Sequence, residues 1–392
     1  MSAPLSQDQA LQEAQDRRFM AAAIRMGTRG LGCTAPNPAV GCLIVDPDGP
    51  TVLARGVTRS GGRPHAEAVA LEKAGARARG ATAYVTLEPC AHHGRTPPCA
   101  EALAAAGLAR VVVGIGDPDP RVAGKGIAKL KAAGIAVTEG VLAEAARDLT
   151  MGFLSRVSRR RPMVTVKLAS SMDGRIAAPG GVSQWITGPT ARAHGHGLRA
   201  SHDAILVGTT TAIVDNPRLT CRLPGLEQRS PIRIVTDGGL RVPLTHSLVA
   251  SARDIPTWVL TAPDAAPARR RALEGAGVTV LTVPRRPGQG LDLNAALALL
   301  ADRGMTRLLV EGGATLVASL IADGCVDRLY WYRAPMVLGG NGIAAIGGLD
   351  VAHPRMAPGF VLRSTRRLGP DTLEIFQPAG AGRVDRERGP SR

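Results

Sequence analysis

Aromatic residues make up only 3% of this 392-residue chain. So few ring faces argue against a surface built for stacking bases along a nucleic acid. Lysine is scarce as well. Lys73, Lys125, Lys129, Lys131 and Lys167 are the only ones, so nearly all the positive charge behind a net +16 is arginine. An arginine bias plus binding of a phosphorylated small molecule accounts for that charge better than a nucleic-acid partner does. No apolar run reaches the roughly 18 residues of a membrane span. The first residues, MSAPLSQDQALQEAQDRR, lack the basic start and apolar stretch of a secretory signal. The expectation is a cytoplasmic protein that partners neither membrane nor nucleic acid. Six cysteines scattered over this length form no disulfide framework, and a close pair among them points to a metal instead. Cys33, Cys42, Cys221 and Cys325 sit among small or apolar residues and read as core or loop positions. A G-x-G-x-x-G turn between strand and helix is also missing. GIGDPD fails at its third glycine, so a Rossmann site is unsupported.

What is present fits two α/β domains. The length favours two over one, and 45% hydrophobic residues suffice for two cores. LQEAQDRRFMAAAIRMG has helical spacing, and AVGCLIV and TVLARGV read as paired strands around the turn DPDGP. A helix from His65 to about Ala74, the strand ATAYVTLEP, a helix after Cys99 and the strand RVVVGI follow. A helix near Ile127–Ala132, the strand IAVTE and a helix near Leu142–Phe153 complete this β-α alternation. The basic run RVSRRRP at 156–162 marks the boundary, though it also suits a charged helix end. Expected domains are therefore 1–157 and 162–378, with a Gly-, Arg- and Pro-rich tail, 379–392, expected to be disordered. Strand patterns in the second half are MVTVKLASS, AILVG, PIRIVTD, TWVLTA, VTVLTVP, RLLVEGG, RLYWYRAP, FVLRS and TLEIFQ.

The chemistry concentrates in PHAEAVALEKAG and, downstream, EPCAHHGRTPPC. Zinc deaminases pair H-x-E with a later P-C-x-x-C. His65, Glu67, Pro89 and Cys90 match directly, while the second cysteine is displaced to Cys99. One imidazole and two thiolates leave zinc an open fourth position for water, whose pKa the metal lowers toward about 7. Glu67, near the metal but not bound to it, would take that proton and pass it to the departing amine. The chief competing reading is a closed structural zinc site completed by His92 or His93. In the catalytic reading, His92, His93 and Arg95 face the substrate.

HAEAVAL, TLEPCAHHGRTPPC, APNPAVGCLIV and GIGDPDPRVAGKG resemble the deaminase half of the bifunctional riboflavin-biosynthesis deaminase/reductases. VKLASSMDGRIA, SQWITG, AILVGTTTAIVDNPRLTCR, PIRIVTD and LLVEGGATL resemble the reductase half, in order, so the likeness covers about 15–378. The resemblance implies a cytidine-deaminase-like zinc domain followed by a dihydrofolate-reductase-like domain. It implies deamination of 2,5-diamino-6-(5-phosphoribosylamino)pyrimidin-4(3H)-one, then reduction of the ribosyl group to ribityl with NADPH. It also implies His65, Cys90 and Cys99 as zinc ligands, Glu67 as proton shuttle and Asn37 beside the pyrimidine. In the second half it implies Ala169, Trp185, Thr211, Asp215 and the turn Gly313, Ala314, Thr315, Leu316 at NADPH. Ser183, Arg199, Leu219, Arg222 and Glu311 would touch the substrate, the arginines its phosphate.

Lys167 stands apart as the sole lysine after residue 131. It reads as ending a strand before ASSMDG and working with Asp215 near the reduced carbon. A homo-oligomer is expected, and the residues alone leave NADPH against NADH open. The rival function is a nucleic-acid-editing zinc deaminase with an accessory α/β domain, which leaves the second half without a role.

Overall fold

The computed structural model describes residues 6–93, 97–286 and 290–380. The chain divides into two compact units. One holds the chain up to Pro162 together with Ala301–Thr306, and the other holds Met163–Leu300 with the chain from Arg307 onward.

In the first unit α1 (Gln7–Gly27) starts with a capping box between Ser6 and Gln9. It is followed by β1 (Gly41–Val45), β2 (Val52–Val57), α2 (Ala66–Ala74), β3 (Thr82–Leu87) and α3 (Cys99–Ala105). Then come β4 (Arg110–Ile115), α4 (Lys125–Ala132), β5 (Ala136–Glu139) and α5 (Ala143–Arg159). The sheet order is β2-β1-β3-β4-β5, with β1 antiparallel to both neighbours and β3, β4 and β5 parallel. The central strands TAYVTL and RVVVGI are almost wholly buried, as strands covered on both faces must be. Helix α5 continues through Arg159, so most of the basic run at 156–162 is a charged helix end.

Two close approaches fix the helices over this sheet. A Cβ on Gly56 would lie 1.9 Å from the Ala66 carbonyl oxygen, so only glycine lets the first turn of α2 rest on β2. A Cβ on Gly126 would lie 2.0 Å from the Pro89 carbonyl oxygen, bringing α4 against the segment that carries Cys90.

The second unit runs β6 (Met163–Ser171), β7 (Arg175–Ala177), α6 (Pro189–Ala200), β8 (Ala204–Gly208), α7 (Thr209–Val214), β9 (Ile232–Thr236) and α8 (Ser247–Ala250). It continues through β10 (Thr257–Thr261), α9 (Pro267–Gly275), β11 (Thr279–Thr282), α10 (Leu293–Asp302), β12 (Arg307–Glu311) and α11 (Ala314–Ala322). It closes with β13 (Arg328–Ala334), β14 (Ile343–Ala344), β15 (Phe360–Leu368) and β16 (Asp371–Pro378). Nine strands lie in the order β11-β10-β9-β8-β12-β6-β13-β16-β15. They are parallel as far as β13, and β16 and β15 return antiparallel. The parallel arrangement places the C-terminal ends of β6, β12, β8 and β9 along one rim. Lys167 does not end its strand: β6 runs on to Ser171, because Leu168–Ser171 pair with β13.

Candidate active sites

His65 is the N-cap residue of α2, and Glu67 falls in that helix's first turn. Pro64 sets the chain's approach to the helix from just outside it. Cys90 follows β3 by way of Pro89, and Cys99 opens α3. These three segments meet. His65 Nδ1 lies 3.6 Å from Cys90 Sγ and 3.4 Å from Cys99 Sγ, and all three ligand atoms fall within 4.8 Å of one another. The zinc bond lengths of about 2.3 Å to sulfur and 2.0–2.1 Å to nitrogen give tetrahedral edges of about 3.6–3.8 Å. The donors therefore already stand near the corners zinc requires.

Cys90, facing Cys99 and His65, drops to a pKa of about 4, whereas contact with Cys90 and burial push Cys99 up. Contact with Cys90 also raises His65. These contacts thus favour the thiolate form of Cys90. Glu67 is buried at 4% exposure, and that burial raises its pKa despite the opposing pull of His65. A carboxyl that keeps its proton this readily suits proton transfer.

His92 and His93 do not complete a four-ligand cage. His93 lies on the surface with its Nε2 3.4 Å from Glu101 Oε2, and among the described residues the cluster contains only His65, Cys90 and Cys99. The buried Nδ1 of His92 has no hydrogen-bond partner among the described residues. Arg95 lies outside the described residues, as does the expected tail beyond Gly380. Asn37 is fixed by donating from Nδ2 to the Gly62 carbonyl at 2.8 Å.

Sequence reasoning missed Glu88. Its buried carboxylate accepts from the backbone N–H groups of Asp117, Gly124, Gly126 and Ile127 at 3.0–3.2 Å. The stretch GDPDPRVAGKG is thereby wrapped around the residue two before Cys90. Burial lifts Asp117 in this loop to a pKa of about 6, against the hydrogen bond it accepts from the Asp119 N–H and helped by the charges of Asp119 and Glu88. The only sequence signal was an acid preceding Pro-Cys, and any buried hydrogen-bond acceptor could have filled that place.

The second unit contains a cavity of about 1130 Å³ along the strand rim. Lys167, Ala169, Ser183, Thr211, Asp215, Glu311 and the turn Gly313–Leu316 all line it. Gly312 and Gly313 have φ of 103° and 89°, a turn that favours glycine, and α11 begins with no side-chain cap. Its first N–H groups lack intrahelical partners and form part of the wall, which suits a pyrophosphate.

Lys167 and Glu311 are register partners on β6 and β12. Burial lowers the Lys167 pKa, while Glu311 opposes and Arg199 reinforces that shift. Burial acts to raise Glu311, but Arg199 and Lys167 outweigh it and hold it at about 2. Asp215 is raised by partial burial alone and is not among the charges acting on Lys167. The structure thus sets Lys167 beside Glu311.

Arg199 donates from Nε and Nη2 to the Glu311 carboxylate at 2.8 and 2.9 Å, and from Nη1 to the Thr220 carbonyl. Its fork is already occupied. Arg222 is exposed against His196, and Leu219 is buried in the core. Trp185 is 63% exposed beneath the Arg192 guanidinium, 4.6 Å from its ring centre, and does not line the cavity.

Residues 162–373 match the RibD C-terminal domain, and residues 13–115 match the cytidine and deoxycytidylate deaminase zinc-binding region. The riboflavin biosynthesis protein RibD of Escherichia coli (strain K12) is 42% identical over 370 residues, 91% of this chain and 98% of that protein. The chain belongs to the RibD family. Acinetobacter baumannii RibD, form 1, superposes with a TM-score of 0.83 at 38% identity, covering 94% of this chain and 99% of that one. A Thermotoga maritima diaminohydroxyphosphoribosylaminopyrimidine deaminase/5-amino-6-(5-phosphoribosylamino)uracil reductase gives a TM-score of 0.81 at 32% identity, covering 94% and 100%. Family membership makes the chain a bifunctional deaminase and reductase of riboflavin biosynthesis. It joins a zinc-binding deaminase half to a dihydrofolate-reductase-like half, and the editing-deaminase reading is not favoured. Among the described residues no helix is long and apolar enough to cross a membrane.

Proposed function

We propose that the half spanning 1–157 deaminates 2,5-diamino-6-(5-phosphoribosylamino)pyrimidin-4(3H)-one. The half spanning 162–378 then reduces the ribosyl group of the product to ribityl with NADPH. The observation carrying this reading is the three-donor cluster of His65, Cys90 and Cys99 beside buried Glu67. In it, His65, Cys90 and Cys99 hold zinc, which when bound activates water as a Lewis acid. Glu67 accepts a proton on its carboxylate and delivers it to the departing amine. Asn37 and His92 face the pyrimidine, and the unpartnered Nδ1 of His92 is available to it.

In the reductase half Ala169, Thr211, Asp215, Gly313, Ala314, Thr315 and Leu316 hold NADPH, which when bound supplies the hydride. Lys167 donates a proton to the ribosyl oxygen, and the register-paired Glu311 favours its charged form. Ser183, Leu219, Arg199 and Arg222 shape the substrate side. Because Glu311 occupies the Arg199 fork, Arg222 carries the phosphate contact. The enzyme acts in the cytoplasm as a homo-oligomer.

The test incubates the zinc-loaded full chain with the phosphoribosylamino-pyrimidine, with and without NADPH. Ammonia should appear without NADPH, and cofactor oxidation only after deamination. Neither signal appearing overturns the proposal.

A further inference from the structure

We propose that Tyr332 is a positioning residue of the reductase, turning its ring face to Lys167 and so holding the ammonium as a cation at the cavity wall. This inference rests on the reading of Lys167 as proton donor given above.

The sheet register brings the two side chains together. Between β6 and β13, Lys167 pairs with Tyr330 and Ala169 pairs with Tyr332. Residues two apart share a face of a sheet, so Lys167 and Tyr332 are diagonal neighbours on one face. Lys167 Nζ stands 5.7 Å from the centre of the Tyr332 ring, within reach of an attractive cation–ring contact. Among the described residues Lys167 has no hydrogen bond and no close ion pair. The ring is its near partner, and Glu311 acts on it from farther away.

Tyr332 is fixed in that place. It is 1% exposed, within a core that includes Leu309 and Leu373. Its hydroxyl lies 2.6 Å from His194 Nδ1 on α6, and the two rings meet edge to face with centres 5.8 Å apart. The hydroxyl is thus engaged, and the ring face is what Lys167 meets. The next residue of α6, Gly195, passes the lysine stem, where a Cβ would stand 3.8 Å from Lys167 Cε. One turn of α6 therefore fastens the tyrosine and borders the lysine.

The charges around Lys167 leave a task for that ring. Burial favours the neutral amine and Arg199 on α6 reinforces it, while Glu311 on β12 opposes them. The Glu311 carboxylate is shared with Arg199, whose fork it accepts. Burial lowers His194 and His196 on α6, so both rings are neutral near pH 7. On β13 Tyr330 is the register partner, and burial pushes the Tyr332 phenol up, so it keeps its proton. Asp215 lines the same cavity without acting on the lysine. An aromatic face steadies the cation without setting a second carboxylate beside a phosphorylated substrate.

The test replaces residue 332 of the zinc-loaded full chain by phenylalanine, then by mono-, di- and trifluorophenylalanine. Fluorine draws electrons from the ring face at nearly constant size, which an argument from packing alone would not notice. Reduction of the supplied phosphoribosylamino-uracil at saturating NADPH is followed from neutral to alkaline pH. The alkaline limb of kcat reports loss of the lysine proton. Tyr332→Phe, which keeps the ring, should keep the native limb. Weakening an interaction that favours the charged form lowers a pKa, so added fluorines should move the limb down stepwise. The full series should span about 0.4 to 1.5 pH units. Should the trifluoro variant fail to fold, judged by its melting temperature, the first two must still shift in that order. A limb that stays put across the fluorinated series overturns the role of Tyr332 and leaves Lys167 standing as proton donor. Native-rate reduction by Lys167→Met overturns both.

Discussion

The two halves of this chain assemble their chemistry in opposite ways. In the deaminase half three donor atoms and a carboxyl converge within a few ångströms, each held by a helix start or strand end. In the reductase half the contributing groups are strung along a cavity of about 1130 Å³, and much of the wall is backbone. A cation's coordination sphere requires particular elements at particular points, so few substitutions are compatible with it. A long dinucleotide can be held by many weak contacts, so each wall residue matters less and its identity is freer. The comparison also explains why the reductase charges satisfy one another, Arg199 with Glu311, whereas the donors at His65 converge on a shared centre.

Glu67→Gln tests the concentrated site hardest. Ammonia release should fall by about a thousandfold with zinc still bound, while reduction of a supplied aminouracil continues at the native rate. Metal content by absorption spectroscopy and the two activities measured separately check this. Comparable loss of both activities would erase the distinction between the halves. Lys167→Met should cost less, about a hundredfold in reduction, with ammonia release intact. Undiminished reduction by the folded variant excludes Lys167 from the chemistry.

The smallest effect concerns pH. Burial, reinforced by Arg307, holds His202 at a pKa of about 3, so its ring is neutral in the fold while the unfolded chain protonates near 6.5. The unfolded state therefore binds the extra proton between these values. Stability is full above about pH 6.5 and declines as pH falls, by at most about 1.4 kcal/mol per unit. Glu311, held at about 2, adds a further loss below its ordinary value of 4.5. Trp185, Trp258 and Trp331 all lie beyond residue 162, so tryptophan fluorescence follows the reductase half alone. Urea unfolding at pH 7.5 and 5.5 should show the decline, and His202→Gln should flatten it. A native curve that is already flat refutes the assignment.

Legibility in the sequence follows the same division. The strands stood out because buried parallel strands need unbroken apolar runs such as RVVVGI and AILVG. His65, Glu67, Cys90 and Cys99 were readable because coordination chemistry dictates side-chain identity. Lys167 was conspicuous as a lysine among arginines, but its neighbour Glu311 was not. Their pairing depends on β12 inserting between β8 and β6, a sheet order no local pattern encodes. The resemblance implied Arg199 at the substrate's phosphate, and nothing local to Arg199 announces that the fold brings the Glu311 carboxylate to its guanidinium. Glu88 was silent because backbone amides ask only for an acceptor.

Gly56 and Gly126 carry a consequence for anyone mapping this enzyme by mutation. Scanning with alanine treats a methyl group as the neutral reference and commonly skips glycine or counts it as already minimal. Here that methyl would strike the Ala66 or Pro89 carbonyl at about 2 Å, driving α2 or α4 away from the metal-binding segments. Near the cluster of His65, Cys90 and Cys99 a single added carbon would therefore be damaging at positions with no side chain to remove.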